Sequence, residues 1–473
     1  MKKVIFLLLT TVSSFGQILE RIIPSDALNV YNFGNAIAQH QNDFVIGGFD
    51  GPPPSGNFRY YAFEKTTTGF NQNQIILPPE IGENFGSAIE IDNDFLFIGS
   101  PNNSSLIANG GAVYVFKKNE NTWNFLTKIQ PSSLTNGENF GSSILFHDNQ
   151  ILIGASNYDS NGNLTDNNGA IYVYNKSGDN FTFSQILSLT TNKNLGEFID
   201  VENNFLISTN LNTSNDETKV VSYQKQSNLW SFVNEFNVGN LGNYKNNKVN
   251  YSNSQLFISR NGDPTINPVT RGIEIYNLQS NNWVFESLFE HTIGDYFEAS
   301  VNVVNNKMIL SALGNYILQI ERKNRALFYK KVSTNWTLID SYNGQSSYND
   351  DNFGNLSKIK GENIVLGNST EIWQYSPFGY VNGGAYFIDA TLQNPSFLSQ
   401  DVYVYPNPVQ TEIHISNTSE LDINEVVITD TNGRILLKTK SENIDISQFS
   451  KGIYLIKINF VNGNIYTKKI LKN

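Results

Sequence analysis

The sequence predicts an all-β protein: a seven-bladed β-propeller followed by a small Ig-like β-sandwich. Three observations carry that reading. A short aromatic-glycine step recurs seven times across residues 17–393. Each step is followed by the same series of short strands, four to a unit of about 50 residues. Many of these strands are continuously apolar, as a strand buried on both faces must be.

The step is clearest as Asn32-Phe33-Gly34, Asn84-Phe85-Gly86, Asn139-Phe140-Gly141 and Asn352-Phe353-Gly354. Weaker copies are Leu195-Gly196, Leu241-Gly242 and Asp295-Tyr296-Phe297. An apolar strand ending in a small residue comes next, as in Phe95-Leu96-Phe97-Ile98-Gly99 and Leu256-Phe257-Ile258-Ser259. A polar loop leads to a second strand such as Gly111-Ala112-Val113-Tyr114 or Gly169-Ala170-Ile171-Tyr172. A third opens on an aromatic: Trp123, Phe181, Trp230, Trp283 or Trp336. These runs are β-branched and aromatic, bounded by Gly, Asn, Asp and Ser. The last unit lacks such an outer strand. Ile18 to Ser25 matches the outer strand Phe125 to Ser132 almost position for position, through Pro24-Ser25 and Pro131-Ser132. The N-terminal strand is therefore expected to complete the seventh blade and remove an exposed edge.

Near Asn394 the repeat stops. A polar linker, 394–402, precedes a block of short strands, several alternating, such as Tyr454-Leu455-Ile456-Lys457-Ile458. Asn432-Gly433 and Asn462-Gly463 are hairpin turn signals. Short strands and tight turns over residues 403–473 suggest the sandwich.

Composition narrows the function. Charged residues are 16% and aromatics 13% of 473, which excludes a disordered chain. The net charge of −11 argues against nucleic acid and anionic membrane surfaces. The chain has no Cys, which excludes disulfides, thiolate metal sites and thiol nucleophiles. Residues 1–16 read as a secretory signal peptide: Lys2 and Lys3, an apolar run from Val4 to Thr11, then Ser14, Phe15 and Gly16. Cleavage is expected between Gly16 and Gln17. No later run reaches ~18 apolar residues, so no transmembrane segment is expected.

The repeat resembles the FG-GAP family, whose propellers include the integrin α-subunit head and many bacterial secreted proteins. The steps at Phe85 and Phe140, with Gly99, Gly154-Ala155 and the Gly-Ala-x-Tyr strands, carry the likeness. The C-terminal block resembles the type A sorting domain of the Bacteroidota type IX secretion system. Its matching elements, in order, are Tyr405-Pro406-Asn407-Pro408, Asn432-Gly433-Arg434, Lys451-Gly452-Ile453-Tyr454 and Lys468-Lys469-Ile470. That resemblance implies passage by the Sec pathway and then the type IX machinery. The protein would end up secreted or on the outer cell surface.

Motifs for chemistry are sparse. His40, His147, His291 and His414 show no metal-ligand spacing. No nucleophile elbow, phosphate loop or His-Glu-x-x-His occurs. The candidate calcium loop is Asp159-Ser160-Asn161-Gly162-Asn163 with Asp166. Its oxygen ligands would be Asp159, Asn161, Asn163 and Asp166. Integrin-like propellers carry Asp-rich loops at the equivalent place, and the competing reading is an Asx-rich turn. No other cofactor is expected. The expectation is a monomeric, non-catalytic binding or adhesion protein with an extracellular protein or glycan ligand. Its rival is a polysaccharide lyase or glycosidase using channel carboxylates. A third reading is a structural module among surface proteins.

Overall fold

The computed structural model describes residues 20–26, 30–51, 56–80, 85–86, 88–159, 167–190, 194–212, 217–239, 249–260, 272–289, 300–312, 325–332, 335–343, 353–354, 356–376, 379–389, 402–406, 409–417, 422–430, 433–461 and 465–472. Residues 1–19, with Gly16 and Gln17 of the expected cleavage site, residues 52–55 and the expected linker up to residue 401 lie outside them. Two compact units emerge. One runs over Leu19–Ser333 and Ser341–Ile388, and the other holds Asp389–Asn473.

The first unit is a seven-bladed propeller. Among the described residues its blades are seven antiparallel four-stranded sheets. Blades one to six are each built from consecutive strands, over residues 37–76, 89–129, 140–188, 199–239, 249–289 and 301–343. Blade seven joins Leu356–Lys360, Asn363–Ser376 and Gly379–Asp389 to the N-terminal strand Glu20–Ile22. The innermost strands touch in sequence around the ring, and Leu356–Lys360 returns to Ile37–His40.

The second strand of each blade is the core. Phe44, Val45 and Ile46, Leu96 to Ile98, and Ile364 to Leu366 are all fully buried. Neighbouring blades cover both faces, so side chains of either parity must be apolar. The recurring step has a local cause. Phe33, Phe85, Phe140 and Phe353 each stand edge-on to a tyrosine of their own blade. The partners are Tyr61, Tyr114, Tyr172 and Tyr386, with ring centroids 5.5, 5.6, 5.1 and 5.2 Å apart. Edge-to-face pairs add roughly 0.5–1.5 kcal/mol beyond the area they bury.

Glycine at the end of the second strand is dictated by the neighbouring blade. A Cβ on Gly154 would lie 2.0 Å from the Gly196 carbonyl oxygen. At the ring closure Gly367 meets the Gly34 carbonyl in the same way, at 2.1 Å. No side chain fits there without moving backbone. The same bridges also repeat around the ring. Gly111 pairs with Phe140, Gly169 with Leu195 and, across the closure, Gly383 with Phe33, all parallel. Farther out, glutamine clasps a neighbouring backbone. Gln74 accepts from Trp123 N–H (2.7 Å) and donates to its carbonyl (3.0 Å). Gln185 does the same to Trp230.

The strand Glu20–Ile22 pairs Glu20 with Phe387, Arg21 with Tyr386 and Ile22 with Ala385. Ile22 is 1% exposed and packs with Val30, Phe33, Phe44 and Tyr61 of blade one and Phe387 of blade seven. Glu20 bridges to Lys65 at 2.8 Å, and Asp26 to Arg59 at 3.1 Å. Ser25 and Gln72 exchange hydrogen bonds of 2.8 and 2.9 Å. A segment hydrogen-bonded into blade seven is thus fastened to blade one.

The second unit is a small two-sheet sandwich. Val402–Tyr405, Glu412–Asn417 and Asn443–Asp445 form one sheet. Ile435–Thr439, Ile423–Asp430, Gly452–Phe460 and Ile465–Lys472 form the other. They share a core that includes Val404, Ile413, Ile444, Val426, Ile428, Ile456, Ile458 and Ile470.

Candidate functional site

The seven innermost strands surround a cavity of about 560 Å³ on the propeller axis. Every blade contributes, because each inner strand alternates apolar residues packed into its blade with polar ones turned from it. Ile89-Glu90-Ile91-Asp92 and Ile199-Asp200-Val201-Glu202 show the alternation in burial: Ile91 is fully buried, whereas Glu90 and Asp200 are partly exposed. The polar lining includes Asn35, Glu197, Asn250, Asn302 and Lys358, with Ser142, Ser143, Ser300 and Ser357.

Hydrogen bonds link consecutive blades along this wall. Asp200 accepts from Asn250 Nδ2 (3.1 Å), Tyr251 N–H (2.9 Å) and Val201 N–H (3.0 Å). Asn250 Oδ1 in turn accepts from Val303 N–H at 2.9 Å. Two lining acceptors, Asn35 Oδ1 and Asn302 Oδ1, are buried with no protein partner among the described residues. A buried unpaired acceptor costs about 1–3 kcal/mol, so a donor from water or a ligand stabilises it.

The electrostatics follow from burial. Asp200 is pushed up to about 6, chiefly by loss of water, with its backbone donors and the Lys358 charge opposing. Glu90 is raised for the same reason against Lys358 and Lys360, and its side chain lies 4.0 Å from Lys360. His40 is lowered, first by burial and then by Lys360. Next to the cavity lining, Asp200 and Glu90 are therefore carboxylates that resist ionisation, beside lysines.

Of the calcium ligands predicted from sequence, Asp159 is described, and it is not among the residues that line this cavity. Asp159 is 8% exposed and accepts from Asn167 N–H at 2.6 Å. Asn161, Asn163 and Asp166 lie outside the described residues. Near Asp159 is Glu138, 1% exposed, which accepts from Thr135 N–H (2.8 Å), Thr135 Oγ1 (2.7 Å) and Tyr172 OH (3.2 Å). Burial first, and the Asp159 charge last among smaller effects, raise the Glu138 carboxyl. No group of three His, Cys, Asp or Glu suited to a metal occurs among the described residues. His147 Nε2 meets Asn203 O and His414 Nδ1 meets Asn443 Oδ1, each at 2.7 Å. His291 lies outside the described residues.

In the sandwich, Tyr405 is half exposed, lies tilted against the His414 ring at 5.7 Å between centroids, and precedes Pro406 through a cis peptide. Asn407 and Pro408 lie outside the described residues. Gly433 closes the turn in which Asp430 accepts from Arg434 N–H at 2.9 Å. Gly452 opens a strand, Lys468 Nζ donates to Val404 O at 3.2 Å, and Lys469 is exposed.

Among curated proteins none matches the chain. Solved structures resemble it weakly. A protein from Lactobacillus plantarum is 9% identical with a TM-score of 0.42, covering 86% of this chain and 98% of its own. Sqt1 from Chaetomium thermophilum is 12% identical with a TM-score of 0.43, covering 78% and 99%. At that level neither bears on what this chain binds. No helix among the described residues is long and apolar enough to cross a membrane. Residues 403–473 match the secretion system C-terminal sorting domain, which marks the chain as cargo of the type IX system, exported to the cell surface or the extracellular space.

Proposed function

We propose that this protein is a secreted or surface-attached binding protein whose propeller channel takes a hydroxyl-rich ligand, a saccharide unit of a glycan or polysaccharide. The observation that carries the reading is the donor–acceptor imbalance of the wall. Asn35 and Asn302 present orphaned acceptors, and Asp200 and Glu90 add carboxylates nearby. Sugar hydroxyls supply the missing donors. The cavity volume suits a small ligand, since such sites span roughly 300–1,000 Å³. The FG-GAP-like repeat and the leader pattern of residues 1–16 support an adhesion role after Sec-dependent passage of the inner membrane.

The test is a glycan array and cell-adhesion assay with purified full-length protein, followed by titration calorimetry. Asn302→Leu is expected to weaken saccharide binding at least tenfold, about 1.4 kcal/mol. Failure of the folded wild-type protein to bind any glycan, matrix protein or host cell would overturn the reading.

A second reading has its own observation. A carboxyl near 6, as at Asp200, is poised for proton transfer at neutral pH. Under it, the protein cleaves polysaccharide. New reducing ends or unsaturated products from a polysaccharide panel, abolished by Asp200→Asn, would establish this activity. Binding without turnover would exclude it.

A further inference from the structure

The four-stranded sheet of the sorting domain has two unlike faces. Val426, Ile428, Ile456, Ile458 and Ile470 of the inner face are fully buried. The outer face of an antiparallel sheet that meets water is ordinarily polar. Here it is not. Ile435 is 54% exposed, Ile453 41%, Leu455 39% and Leu471 39%. Register makes them one patch. Ile453 lies opposite Leu471, and Leu455 lies between Thr429 and Lys469. Thr429 in turn pairs with Ile435. The next row is Lys438, Val427 and Lys457. The face is thus an apolar band flanked by lysines.

Charge sets this domain apart. Residues 403–473 hold eight Lys and Arg against seven Asp and Glu, while the rest of the chain holds 24 against 36. The cations Lys457 and Lys469 stand exposed beside the apolar band. Lys438, on the same face, pairs with Glu425 at 3.1 Å.

We propose that this face is the surface by which the export machinery reads the domain. Its partner is a protein of that machinery offering an apolar strip bordered by carboxylates. The apolar band supplies affinity through burial, and the flanking lysines set orientation and rate of encounter. The family match requires a protein that recognises residues 403–473. Among the described residues of the four-stranded sheet, this is the face left to meet one.

The experiment follows full-length protein in a bacterium carrying a type IX system, comparing the extracellular or surface fraction with the periplasm. Leu455→Glu, and the pair Lys457→Glu with Lys469→Glu, are expected to cut export at least tenfold and leave protein in the periplasm. Glu412→Lys, on the other sheet, should export normally. Circular dichroism of the purified variants should give wild-type melting. If Leu455→Glu fails to fold, the lysine pair, fully on the surface, decides the matter. Wild-type export of the folded lysine-pair variant overturns the proposal. So does an equal loss with Glu412→Lys. A concentration-dependent dimer that Leu455→Glu breaks without changing export would reassign the face to a second copy and overturn it as well.

Discussion

Replacing Ile22 with Asp should lower the propeller's unfolding free energy by about 4 kcal/mol or more, and deleting residues 17–25 should do at least as much. Truncating a buried Ile costs about 2–5 kcal/mol through lost transfer and a cavity, and a carboxylate placed there adds its own desolvation. Ile22 is 1% exposed within a cluster drawn from both blade one and blade seven. The deletion also removes the pairing of Glu20–Ile22 with Gly379–Asp389, along with Lys65–Glu20 and the Ser25–Gln72 exchange. Lys65 further lies 5.0 and 5.1 Å from the Phe70 and Phe387 rings, so its anchor couples the two blades. The ion pair, only partly buried, contributes little by itself. The loss is expected to be large because the ring has no disulfide to hold its ends and an opened blade seven exposes an edge. Ile23, 57% exposed, is the control: Ile23→Asp should be neutral. Urea unfolding of the full-length protein measures both, and an unchanged midpoint for Ile22→Asp would refute the latch.

Much of the architecture is legible in the sequence because each blade repeats one packing problem. Phe140 needs Tyr172 and Gly154 needs the Gly196 carbonyl, so the same letters recur at each blade where the contact recurs. Blades that solve the contact differently lose the letters. Ser311 stands where glycine stands elsewhere, and Ser300 Oγ donates to the Gly354 carbonyl at 3.0 Å. The channel was less legible for the opposite reason. Its residues come two or three from each blade, far apart in sequence, and differ from blade to blade. Glu90, Asp200, Asn250, Asn302 and Lys358 occupy matching places on the short inner strands, two residues before the turn. The alternation around them is the signal that could have found them. Only the ring places Asp200 beside Asn250. In the sequence the cluster of Asp and Asn over residues 159–166 is the more visible feature.

Asp200 offers the sharper test of the channel. Burial holds its carboxyl near 6, against about 3.9 in an unfolded chain. The folded state therefore binds this proton more tightly. Its contribution to stability is present in full below pH ~4, falls as pH rises through the window from about 4 to 6, and stays lost above it. The two-unit shift corresponds to roughly 3 kcal/mol. Asp200→Asn should therefore match wild type near pH 4 and exceed it by as much as ~3 kcal/mol at pH 7, less whatever is lost in reorienting the Val201 hydrogen bond. Glu90 and His40 shift too, but they are common to both proteins and cancel in the difference. Urea midpoints from pH 4 to 8 decide it: parallel curves for the two proteins would show that Asp200 is not held protonated. If the channel binds a ligand beside Asp200, the ligand's donors must favour the ionised form. Saturating ligand should then pull the Asp200 midpoint back toward 4 and erase the difference between the two proteins near neutral pH, whereas a purely structural Asp200 would keep its midpoint whatever is bound.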